Sequence, residues 1–177
     1  LGPLLFSLLL RRVIDGLKQR CPDLDLNVWF LDDGTLVGSR ASLLVAVQFL
    51  MSPEVEAIGL HLNLSKCELW WPRGDAVFPE FPEEIQRNTG DGTNILKIPV
   101  GSEQFVVSEL NKRVAKASAV LDKLHHLEDA HLEFTLLRAC LGSCRLTYTL
   151  RGVVPSARIE TALMEADGAV RRSLERI

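Results

Sequence analysis

The sequence holds few of the features that would assign it quickly. Only four cysteines occur in 177 residues, at positions 21, 67, 140 and 144. Their spacing matches neither a disulfide framework nor a zinc motif. Cys140 and Cys144 lie four apart in a helix-like stretch, which would put them on one face, but two further ligands nearby are lacking. All four are read as reduced thiols of an intracellular protein, nucleus or cytoplasm unresolved, with packing as their main role. No window reaches the roughly 18 continuous apolar residues of a membrane span. The apolar start, residues 1–10, lacks a preceding basic region and a small-residue cleavage site, so it does not read as a signal peptide. The net charge of −3 excludes a globally basic nucleic-acid binder. No internal repeat or low-complexity tract is present. Because the chain starts at Leu1 rather than Met, it is expected to be a fragment, a processed product or an incomplete gene model.

What is present is a normal globular composition, 47% hydrophobic, with an uneven charge distribution. Between residues 21 and 107 thirteen acidic side chains face five basic ones, whereas the flanks are mildly basic. An acidic centre suits cation binding and basic flanks suit phosphate. Solvated surface accounts for the same balance.

Pro3 opens a stretch in which Leu5, Leu9, Val13 and Leu17 recur every four residues, an amphipathic helix stopped by Pro22. Leu24, Leu26, Val28 and Phe30 then alternate with period two and predict a strand with these four on one face. Asp32-Asp33-Gly34 and the β-prone Thr35-Leu36-Val37-Gly38 complete a hairpin signal, with the Asp-Gly pair at its turn. Residues 41–59 read as a helix restarted at Ser52-Pro53 and left through Gly59. Residues 60–71 suggest a turn and a strand, and 72–93 a long loop. A second hairpin is expected around Gly101-Ser102, joining 96–100 to 105–107. From Ser108 the period turns helical: Leu110, Val114, Ala117, Leu121 and Leu124 form one stripe. Two more helices are expected over 132–150 and 156–176. The class is α+β to about residue 107, followed by an all-helical unit, 108–177.

The chemistry concentrates at Phe30-Leu31-Asp32-Asp33. Two adjacent carboxylates at a hairpin tip repel each other, and a bound cation relieves that repulsion. Mg²⁺ takes oxygen ligands, typically one or two carboxylates together with substrate phosphates. Asp-Asp-Gly is equally a good turn by itself, and short motifs produce many false matches.

Four segments in order carry a resemblance. Leu1-Gly2-Pro3-Leu4-Leu5-Phe6-Ser7-Leu8 resembles the proline turn and helix that follow the first catalytic strand of reverse transcriptases. Phe30-Leu31-Asp32-Asp33 resembles that family's aromatic-x-Asp-Asp hairpin. Gly59 to Cys67 resembles its Gly-Leu-x-x-Asn-x-x-Lys motif. Leu96-Lys97-Ile98-Pro99-Val100-Gly101 resembles the hairpin that grips the primer, in a form closer to LINE-type, non-LTR retroelements than to retroviruses. These motifs cover about residues 1–101; the helical remainder matches a thumb by class alone.

The resemblance implies a partial palm, an antiparallel sheet with helices on one face, over 1–107, and a thumb over 108–177. It implies RNA-directed DNA polymerisation: attack of a primer 3′-hydroxyl on a deoxynucleoside triphosphate, copying an RNA template, with Mg²⁺ or Mn²⁺. Asp32 would be the main metal ligand and Asp33 a supporting one. Phe30 would pack beneath the primer terminus, and Gly2 and Pro3 would line the nucleotide and template wall. Lys66 would serve near the leaving pyrophosphate as an acid or charge stabiliser, in a loop held by Asn63. Lys97 to Gly101 would position the DNA primer. Lys112, Lys116 and Lys123 share one face of the first thumb helix and would meet phosphate, although such a stripe is ordinarily a solvated face. The four histidines, at 61, 125, 126 and 131, show no ligand spacing toward the acidic pair.

The family's upstream catalytic aspartate and its fingers are missing from the sequence. The chain is therefore expected to be inactive alone, with an exposed sheet edge and an incomplete core. A decayed, non-catalytic retroelement remnant that binds nucleic acid or protein is the alternative. A nucleotidyl cyclase-like palm is a weaker one, opposed by the Pro-Leu-Leu-Phe start and the helical thumb.

Overall fold

The computed structural model describes residues 2–72, 78–142 and 144–177. Leu1 of the first motif, residues 73–77 of the expected loop and Ser143 of the expected second thumb helix lie outside the described residues. The chain forms two compact units, Leu1–Thr89 and Gly90–Ile177.

The first unit begins with α1 (Gly2–Arg20), followed by the antiparallel pair β1 (Leu24–Phe30) and β2 (Asp33–Gly38). Helix α2 (Arg40–Leu50) starts at Ser39, whose hydroxyl accepts from the Ser42 amide, and the short α3 (Pro53–Glu56) has proline in its first turn. Gly59 leaves this segment with φ of 82°, the left-handed exit that glycine permits. A 3₁₀ turn (Leu64–Lys66) leads into β3 (Glu68–Trp70), which pairs in parallel with β4 (Gln86–Asn88).

The core of this unit gathers Leu10, Val13 and Leu17 of α1, Ala46, Phe49 and Leu50 of α2, and Val55. Of the expected stripe, Leu5 is exposed and Leu9 lies outside the core cluster, and the neighbouring Phe6 and Leu10 take their places. Helix α1 buries its second half and leaves Leu4, Leu5 and Leu8 in solvent.

Strand β1 corrects the expected face. Its register to β2 shifts between Leu24 and Leu26, so one extra residue is accommodated there. A single-residue slip sends every later side chain to the opposite face. Leu24 and Trp29 pack on the core together with Leu36, whereas Leu26, Val28 and Phe30 point outward.

Two further expectations change. The 78–93 part of the expected loop contains β4, and Arg87 on that strand donates to the carbonyls of Phe78, Phe81, Pro82 and Ile85. One guanidinium thereby satisfies the backbone acceptors of a turn-rich segment. Arg40 ion-pairs with Glu80 and lies over the Phe78 ring. The hydrogen bond from Arg40, more than its charge, holds the Glu80 carboxyl below the usual carboxylate range.

The second unit opens with the antiparallel hairpin β5 (Gly92–Ile95) and β6 (Ile98–Gly101). Its turn is Leu96-Lys97, not Gly101-Ser102. Helix α4 (Glu103–Leu121) starts five residues before Ser108, capped by the Ser102 hydroxyl, so Phe105–Val107 is helical rather than strand. Ser102 is an N-cap residue, its hydroxyl accepting from the Phe105 amide, and the short β-prone run concealed it. Helix α5 (Ala130–Leu136), a π turn (Leu137–Leu141), α6 (Cys144–Leu150) and α7 (Ala157–Arg176, capped by Ser156) complete the chain. The expected helix over 132–150 is thus three pieces. The π turn and the break at Gly142 end the simple four-residue relation between Cys140 and Cys144, and both thiols are exposed. Of the four cysteines only Cys21 is buried, and burial raises its thiol pKa.

Helices α4, α6 and α7 share a core of Leu110, Val114, Leu146, Ile159 and Ala162. A second cluster joins Leu121 and Leu124 to Leu137, Leu141 and Ala169. The class is α+β, with helices dominating and, among the described residues, three separate two-stranded ladders in place of one antiparallel sheet. The 92–101 hairpin, grouped with the first region in the sequence reading, packs within the second unit.

Candidate functional site

The acidic hairpin is built by a two-residue turn. Phe30 pairs with Asp33, which leaves Leu31 and Asp32 as the turn residues. Leu31 takes a φ of 54°, a left-handed conformation that disfavours a branched L residue by roughly 1–2 kcal/mol. Gly34 is therefore not the turn glycine. It lies opposite Trp29, where a Cβ would sit 2.5 Å from the indole ring. The glycine exists so that Trp29 can fold across β2 and donate its Nε1–H to the Asn27 carboxamide oxygen at 2.7 Å.

This register decides what surrounds the carboxylates. Paired residues of an antiparallel ladder share a face, so Asp33 projects on the same side as Phe30, its direct partner. Val28, Leu26 and Val37 continue that face. Phe30 is 62% exposed, and both aspartates are exposed. The acidic pair thus stands at one end of an open apolar strip, with Asp32 on the turn itself. Two adjacent carboxylates can supply oxygen ligands to a hard cation. Among the described residues, no group of three or more His, Cys, Asp or Glu side chains is placed to hold a metal ion. The two carboxylates by themselves do not form a complete cation cage.

The other predicted residues fall into separate places. Gly2 and Pro3 form the first turn of α1, where the Pro3 carbonyl accepts from the Ser7 hydroxyl at 2.9 Å. A Cβ on Gly2 would meet nothing within 4 Å, so packing does not require glycine there. Lys66 ends the 3₁₀ turn and is exposed. Asn63 precedes that turn and organises it: its side-chain oxygen accepts from the Ser65 hydroxyl at 2.8 Å, and its carbonyl accepts from the Cys67 thiol at 3.3 Å.

In the second unit, Lys97 occupies the hairpin turn. Leu96 and Lys97 both have positive φ, 49° and 66°, as a type I′ turn demands. Gly101, at φ 150°, lies so close to the backbone of Asp91 and Gly92 that a side chain has no room. Lys112 pairs with Glu109 at 2.7 Å, whereas Lys116 is exposed on α4. Lys123 falls beyond the end of α4 and precedes the 3₁₀ turn Leu124–Leu127.

Sequence reasoning missed the residues that fasten this hairpin. Arg113 donates to the Asn94 side-chain oxygen at 3.0 Å and to the Thr149 hydroxyl. Asn94 in turn donates to Glu109 at 3.1 Å. The bond from Lys112, followed by that from Asn94, holds the Glu109 carboxyl below its ordinary range. The Tyr148 hydroxyl donates to the Leu96 carbonyl at 2.9 Å. These contacts span up to 52 positions, and nothing local in the sequence announces them.

Comparison of the chain with protein-family models, curated proteins and solved structures gives no match. Among the described residues no helix is long and apolar enough to cross a membrane.

Proposed function

We propose that the chain is the palm-and-thumb part of a reverse transcriptase of the LINE-type, non-LTR kind, contributing one pair of carboxylates to nucleotidyl transfer within a larger polymerase. The observation that carries this reading is the β1–β2 hairpin, with Asp32 on its turn and Asp33 opposite Phe30 on one open face. When bound, Mg²⁺ ions would activate a primer hydroxyl and stabilise the leaving oxygen. The chain's own part would be to offer carboxylate oxygens from Asp32 and Asp33 and a flat aromatic surface from Phe30 for the primer end. Lys66 would supply positive charge toward the leaving phosphates, from a turn that Asn63 holds. Lys97 and the exposed lysines of α4 would meet the backbone of an RNA template paired with its DNA primer.

Two carboxylates alone place the metals poorly, and catalysis falls steeply with misplacement. This chain by itself is therefore expected to lack polymerase activity. The lack of a third ligand among the described residues equally favours a second reading, a non-catalytic remnant that binds nucleic acid or protein.

Primer extension on an RNA template with Mg²⁺ or Mn²⁺ separates the two. The forms to compare are this chain, a longer form with the upstream coding sequence restored, and the longer form carrying Asp32→Asn. Extension by the longer form alone, abolished in Asp32→Asn, supports the polymerase. A folded longer form without extension sinks it and leaves the remnant.

A further inference from the structure

We infer that copies of this chain associate through the N-terminal half of α1 of one and a groove on α2 of the next, with Leu4, Leu5 and Leu8 entering the groove and Arg12 meeting Glu83 at its rim. The contact owes nothing to the polymerase resemblance and involves only the first unit of each copy.

Helix α1 has two apolar faces. With the α-helical period, Leu4, Leu5, Leu8, Arg11 and Arg12 fall within an arc of about 120°. The core residues Leu10, Val13 and Leu17 occupy the opposite arc. Leu4, Leu5 and Leu8 are 60%, 60% and 56% exposed. The outer arc is thus an uncovered apolar patch with two arginines one turn further along. Isolated exposed leucines are ordinary, whereas adjoining ones rimmed by charge mark a contact surface. Arg11 reaches Asp15 at 3.7 Å in an exposed pair. No ion pair engages the exposed Arg12 among the described residues.

The groove is complementary. Leu44, Val47 and Met51, spaced i, i+3 and i+7 on α2, line it together with Phe81 and Pro82, and its volume is about 490 Å³. Among the described residues its charged lining is acidic, Glu80 and Glu83, with no basic side chain. Glu80 is already held by Arg40. Glu83 is exposed, with no ion pair among the described residues, and is the acid open to an incoming arginine. The lengths agree: Leu44 to Met51 rises about 10 Å and Leu4 to Arg12 about 12 Å. Two turns of an amphipathic helix therefore match the groove. One molecule cannot make this contact with itself. Ala46, Phe49 and Leu50 turn the opposite side of α2 into the same core that receives the inner arc of α1. The groove and the outer arc consequently face away from each other. A second copy brings both the apolar pattern and the charge that the groove lacks.

The test is the weight-average mass of the full chain by sedimentation equilibrium, over roughly 5 to 500 µM, where a contact this small dissociates. The mass is expected to rise with concentration above the 19.7 kDa of one chain. The contact is heterologous, so it closes as a reciprocal pair or runs on as a chain, and either raises the mass. Arg12→Glu and Glu83→Arg each bring like charges together and are expected to raise Kd roughly tenfold. An equimolar mixture of these two variants restores association, because each α1 then finds a groove of opposite sign. Leu4→Ser/Leu8→Ser removes two anchors and holds the mass at that of one chain. Val28→Thr/Val37→Thr, on the open face of the β1–β2 hairpin, leaves association unchanged. Far-UV circular dichroism checks that each variant is folded. The contact is overturned by a single-chain mass at every concentration, by association indifferent to the α1 and groove variants, by a mixture that fails to restore it, or by its loss in Val28→Thr/Val37→Thr.

Discussion

The two antiparallel hairpins, β1–β2 and β5–β6, are made alike and held differently. Each closes through two residues, and each forces left-handed backbone on residues other than glycine: Leu31 in one, Leu96 and Lys97 in the other. The β5–β6 hairpin meets that strain with a polar clamp of Arg113, Asn94, Glu109, Thr149 and Tyr148. The β1–β2 hairpin rests on the core through Leu24, Trp29 and Leu36 and leaves its outer face, Leu26, Val28 and Phe30, in solvent. The contrast teaches that two turns of the same length can be anchored by different means, one by side-chain hydrogen bonds and the other by apolar packing.

The largest change should come from breaking the clamp. Arg113→Leu leaves the Thr149 hydroxyl, which is buried, and the Asn94 side chain without their donor. A loss of roughly 1–3 kcal/mol is expected, read as a lowered denaturant midpoint with an unchanged slope. A wild-type midpoint in this variant would mean that the clamp contributes nothing.

Acid should loosen the same hairpin more gently. The folded-state pKa of Glu109 is depressed, chiefly by its bond from Lys112 and further by that from Asn94. Its contribution is therefore fully present above the ordinary carboxylate pKa and is lost as pH falls through the lowered folded value. Protection of the Ile95 and Ile98 amides against exchange, taken relative to the intrinsic rate at each pH, should fall in that acidic window in the wild type. With Glu109→Gln it should already be lower at neutral pH and respond less to acid.

The smallest effect on stability should come from the open face. Val28→Thr with Phe30→Ser alters exposed positions on a strand, where substitutions shift stability within about 0.5 kcal/mol. Solubility, measured as the concentration at which light scattering rises, should increase because a contiguous apolar strip is interrupted. A large fall in midpoint would show instead that these side chains are packed.

Much of the local structure was legible in the residues. Helix α1 with Pro3 in its first turn, strand β1 over Leu24–Phe30, the restart at Ser52-Pro53 and helix α7 after Ser156 all follow from period and capping. The Asp-Asp tip was legible as a hairpin but not in its turn: Asp-Gly suggested glycine at the bend, whereas Gly34 is there to make room for Trp29. The outward face of β1 was not legible, because a one-residue register shift after Leu24 reverses a pattern whose period is two. The early start of α4 was hidden by Phe105-Val106-Val107, a run that suits either strand or helix until Ser102 is seen to cap it.

The sequence by itself determined the alternation of helix and strand, the acidic hairpin, and the four ordered segments on which the polymerase resemblance rests. These depend on neighbours a few positions apart, whose propensities and spacing are written in the chain. Tertiary structure alone decided which side of β1 faces water, that Arg87 gathers four loop carbonyls, and that Tyr148 meets Leu96 across 52 positions. Such contacts follow from how packed elements bring distant residues together, and no local pattern of residue types encodes that meeting.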